Sequence, residues 1–159
     1  MTREDLIRLA SRLTQGPVPT LEKKVYGYQG NIAPLLAALP PSITVLTRVT
    51  DACEKHGLPA QAERIPAYLR DQLALFIRRL QAGRTTILIV IQEAVLLARY
   101  RVPLPLLYEL TGDAQAIILH LDEGLSPQSW MLPAYVTYHP DAPASYLEKP
   151  LGSQFIRGQ

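Results

Sequence analysis

Glu93 is the residue best placed to do chemistry. It closes an unbroken apolar run, Ile87 to Ile91, after Gln92, in the stretch TTILIVIQEAVLLARYRV. A carboxylate at the end of a buried strand is where an ATPase holds magnesium and polarises water; the same residue also serves to cap a helix, whose first N–H groups need acceptors. A nucleotide site needs a second part, a loop patterned G-x-x-x-x-G-K-[ST]. The nearest stretch is KKVYGYQGNIAPLL, with Gly27 and Gly30 between a short strand and a helix. Asn31 and Ile32 stand where lysine and Ser/Thr belong, so Gly27 and Gly30 are the candidate nucleotide-binding residues of an incomplete loop.

Other constellations are weaker. His120 and Asp122 share one face of an alternating strand, as a His–Asp pair would, though histidine inside a buried strand is more often a core residue. His139 and Asp141 fall in YHPDAP, a turn before anything else. Cys53 and His56 are spaced to share a helical face, but a nucleophilic thiol needs more than that spacing. No nucleophile elbow and no H-E-x-x-H spacing occurs, so no metal and no cofactor is expected. Arginines surround the longest helical pattern, and Arg78, Arg79, Arg99 and Arg101 (the last two flanking Tyr100) are the candidates for a nucleic-acid backbone with a stacked base. Interspersed acids such as Glu63 and Asp71 favour a solvated or partner-facing surface.

Elements must position these groups. Ile43–Thr47, Thr86–Ile91 and Ala116–Leu121 are apolar, β-branched runs that read as buried strands. Lys24–Tyr26 reads as a short strand, and the alternating Ala134–His139 as a last strand nearer an edge. Between them lie helical patterns: Asp5–Leu13 with Thr2 as N-cap, Ile32–Leu39, Asp51–His56, Ile65–Leu80 and Leu104–Leu110, with Ala94–Tyr100 helical or irregular. Apolar strands alternating with helices predict a three-layer α/β domain with a mainly parallel sheet of four to five strands. Right-handed crossovers gather the strands' carboxyl ends at one rim, where such folds bind ligands. That rim collects Arg48 to Asp51, Gln92 and Glu93, Asp122 and Glu123, and His139 to Asp141. The 159 residues suit one domain, with residues 1–20 as a helix and linker and 142–159 as an extended tail.

A net charge of +2 is too mild to require nucleic acid, and one cysteine allows no internal disulfide, which suits a reducing cytoplasm. No run approaches the length of a membrane span. Charged residues make up 19%, below the usual quarter, and tyrosine dominates the aromatics. Both point to a surface covered by another protein subunit, with Tyr135, Tyr138, Tyr146 and Phe155 as interface candidates.

The order of elements in ITVLTRVTDACEKHGLPAQAERIPAYLRDQLALFIRRL, TTILIVIQEAVLLARYRVPLPLLYELTGDAQAIILHLD and PAYVTYHPDAPASYLEK resembles the small P-loop-type ATPase subunits of bacteriophage-exclusion (BREX) defence systems. In that family the central strand ends in a Walker-B-like acid; the matching position here is Gln92 or Glu93. The resemblance implies a degenerate P-loop-NTPase-like scaffold. Its expected role is non-catalytic, binding a protein partner in a phage-defence or DNA-processing assembly and reaching nucleic acid, if at all, through that assembly. A divergent nucleotide hydrolase and an arginine-based nucleic-acid module are the alternatives.

Overall fold

A computed structural model describes residues 1–53, 59, 61–121 and 143–158. Five strands form one sheet: β1 (Val25–Gln29), β2 (Thr44–Arg48), β3 (Ile87–Gln92), β4 (Gln115–Leu121) and β5 (Phe155–Arg157). Their order is β2-β3-β4-β1-β5, and every neighbouring pair is parallel. The three-layer α/β expectation holds. The strand expected over Ala134–His139 lies outside the described residues. The fifth strand comes instead from the stretch read as an extended tail: residues 143–158 fold into helix α7 (Pro143–Leu151), a short 3₁₀ turn and β5.

Alternation along the strands builds two apolar layers. Tyr26, Tyr28, Leu88, Val90, Ala116 and Ile118 face α1 (Arg3–Leu13) and α2 (Ala33–Ala38). Val25, Ile87, Ile89, Ile91, Ile117 and Leu119 face the other side. There α4 (Ile65–Gln81) lays down Ile65, Leu69, Leu73 and Ile77 at one-turn spacing. The short helices α5 (Val95–Arg99) and α6 (Pro105–Glu109), with Leu147 and Leu151 of α7, complete that layer. Thr2 caps α1 as its sequence predicts: its hydroxyl accepts from the Asp5 N–H while Asp5 accepts from the Thr2 N–H.

The expectation of a buried strand over Ile43–Thr47 is corrected. Among the described residues β2 is an edge strand with β3 as its one neighbour, and Leu46 is 48% exposed. A β-branched apolar run fits an edge as well as a centre, because strand propensity reports the pleat and not the number of neighbours.

The sheet order has one consequence for function. The β1–β2 connection leaves in one direction and the β4–β5 connection in the other, and β1 and β4 are adjacent. Their carboxyl ends therefore flank a topological switch point, where open α/β sheets present a crevice.

Tyr26 gives this core a pH signature. Burial pushes its phenol up to about 12, assisted by Glu22 and opposed by a hydrogen bond with Gln154. A raised folded-state value means that the stabilisation is complete below the unfolded tyrosine's value near 10 and is lost as pH rises through about 12. Urea midpoints should fall across that alkaline window, and Tyr26→Phe should flatten the fall; an unchanged slope in the variant would refute the assignment.

Candidate functional site

The rim at the switch point is built from the ends of β1, β3 and β4. Val90, Ile91 and Gln92 carry β3 to the surface, and the chain then turns sharply at Glu93, whose φ of 65° is left-handed. The turn is fixed on both sides: the Ala94 N–H donates to the His120 carbonyl at 3.1 Å, and the Leu96 N–H to the Glu93 carbonyl at 2.9 Å. The Glu93 side chain consequently turns inward and is only 7% exposed. Its Oε1 accepts from the Thr50 N–H at 3.2 Å and the Thr50 hydroxyl at 2.5 Å. Thr50 lies in the first turn of α3 (Val49–Cys53), whose N–H groups have no helical acceptor. Glu93 thus caps a helix, but the one after β2 and not the one that follows it in sequence; no side chain caps α5.

At the end of β1, Gly30 adopts φ 128°, which a side chain would strain, and a Cβ there would meet the Gly158 carbonyl oxygen at 3.0 Å. The loop is held from two sides. His120 Nε2 lies 2.7 Å from the Gly30 carbonyl oxygen. A carbonyl only accepts, so Nε2 donates to it. On the other flank the Gly158 N–H donates to the Gln29 carbonyl at 2.7 Å. A phosphate loop turns N–H groups towards its ligand; here the Gly30 carbonyl is instead taken up by the buried His120 imidazole.

Two polar groups beneath this loop have no hydrogen-bond partner among the described residues: His120 Nδ1 and the Tyr28 hydroxyl. The two residues are register partners on β1 and β4, with ring centroids 6.4 Å apart. His120 is 3% exposed and Tyr28 fully buried. Both lie in the core below the rim, out of reach of a substrate.

Gly27 is corrected as a loop glycine. It sits in the middle of β1, and its missing side chain admits the Phe155 ring, which a Cβ would meet at 2.6 Å. Phe155, an interface candidate, is 8% exposed, with its ring in the core against Gly27. Tyr146 is half-buried, with its hydroxyl donating to the Val102 carbonyl at 2.7 Å. Tyr135 and Tyr138 lie outside the described residues, as do Asp122, Glu123, His139, Asp141 and His56. Arg48 pairs with Asp51 at 3.1 Å across the β2–α3 step.

The arginines are not gathered into one patch. Arg78 and Arg79 occupy the last turn of α4, an end tied to the β4 approach by the Gln81 amide donating to the Leu110 carbonyl at 2.6 Å. Arg99 and Arg101 follow the opposite, carboxyl end of β3. α4 alone spans roughly 25 Å, at about 1.5 Å per residue.

Among the described residues, no lysine stands at the rim. Lys24, 2% exposed, is at the other end of β1 and donates to the Gly112 carbonyl at 3.1 Å. Burial pushes its ammonium group down, Asp113 opposes that and Lys23 adds to it. Among the described residues, no group of three His, Cys, Asp or Glu side chains could hold a metal, and no helix is long and apolar enough to cross a membrane. Sequence reasoning placed Thr50 at the rim but missed its pairing with Glu93, and it missed the His120–Gly30 contact. The one local signal was the T-D pair opening a helix after a strand, which asks for an acceptor without saying where it comes from. No protein-family model, no curated protein and no solved structure matches the chain.

Proposed function

We propose that this chain is a non-catalytic, P-loop-like subunit of the reducing cytoplasm that works by binding another protein in a phage-defence or DNA-processing assembly. The observation that carries this reading is the tied-down loop after β1: the Gly30 carbonyl is taken up by His120 Nε2 at 2.7 Å, and Gly30 is followed by Asn31 and Ile32 and not by the lysine and hydroxyl of a phosphate loop. The acid that would serve magnesium is engaged too, with Oε1 of Glu93 taken up in capping α3. Such a rim suits a scaffold. The low charge fraction is the surface counterpart of that role.

One observation favours a second reading, a divergent nucleotide hydrolase. Glu93 holds a left-handed backbone at the end of the central strand, and strained residues of this kind gather at active sites. Calorimetry separates the two. The scaffold reading expects no heat when magnesium-ATP or magnesium-GTP is titrated into the chain. Magnesium-dependent binding that weakens in Glu93→Gln would overturn it in favour of the hydrolase. The partner itself is tested by sedimentation and purification from the native host: a well-behaved monomer with nothing bound would refute the assembly role.

A further inference from the structure

We draw no further inference here: the strongest candidate, the buried Tyr28–His120 pair on β1 and β4 beneath the loop at Gly30, whose hydroxyl and Nδ1 have no hydrogen-bond partner among the described residues, belongs to the site already described and shows nothing of what it would hold.

Discussion

Gly27→Val lowers the unfolding free energy by about 3 kcal/mol, and Gly27→Ala by about 1 kcal/mol. Two effects compete. Glycine inside a strand is itself unfavourable by roughly 0.5–1 kcal/mol relative to alanine, so a substitution recovers that much. Against it stands the packing: a Cβ on Gly27 lies 2.6 Å from Cδ2 of Phe155 and 3.0 Å from Cδ1 of Leu151. Neither neighbour has a free end to move. Phe155 is anchored in β5 and covered by the Arg157 guanidinium, 5.4 Å from its ring centroid, and Leu151 closes α7. Overpacking of this kind costs about 1–3 kcal/mol and occasionally more. It exceeds the glycine penalty for alanine and exceeds it further for valine, whose two methyls must enter the same space. Urea denaturation measures the loss, and the strand at risk is identifiable. Ile156 and Gly158 amides, which depend on β1 pairing, should gain exchange in Gly27→Ala, while Ile89 in β3 should not. Equal loss of protection throughout would mean that the Gly27–Phe155 contact does not specifically hold β5.

The same contact explains what could be read from the sequence and what could not. β3 and β4 were legible because the runs ILIVI and AIILHL have no other stable home than the middle of a covered sheet. α1 and α4 were legible because their apolar residues recur at helical spacing and Thr2 announces a start. β5 was not. FIR is three residues long and carries no periodicity; it becomes a strand because a glycine elsewhere, Gly27, leaves room for its phenylalanine. Read alone, Gly27 looked like one of a pair of loop glycines, and Phe155 like a surface aromatic. Neither packing role was legible, because the partner that determines it is remote in sequence. The rim shows the same division. That Glu93 ends a strand followed from the local pattern, whereas its acceptor role depends on Thr50, 43 residues away, and the tied-down loop on a His120–Gly30 contact spanning 90 residues. Local order is written locally; a site is written in pairs.

Glu93→Ala lowers stability by about 1.5–3 kcal/mol, the usual cost of removing hydrogen bonds to a charged group and leaving their donors without an acceptor. Two donors are stranded at once, the Thr50 N–H and its hydroxyl, in a site where Glu93 is 7% exposed and water has little access. The alternative role for this carboxylate predicts something different, so the series of substitutions matters more than any single one. Glu93→Gln keeps an acceptor at the same reach and should lose less than about 1 kcal/mol, because the bond becomes neutral but is not removed. Glu93→Gly loses the same bonds as alanine yet relieves a left-handed backbone that is unfavourable by roughly 1–2 kcal/mol for any residue with a Cβ. It should therefore fall between alanine and the parent. Thr50→Val should lose less than Glu93→Ala, since it removes one donor and keeps the backbone N–H bonded. The ordering Ala, then Gly, then Gln nearest the parent, read from denaturation midpoints, is the signature of a cap. Glutamine also separates the two functions of the position. It preserves a cap and destroys a carboxylate, so a Glu93→Gln protein as stable as its parent but impaired in a magnesium-dependent activity would assign the strain at this turn to catalysis and overturn the structural role argued for it.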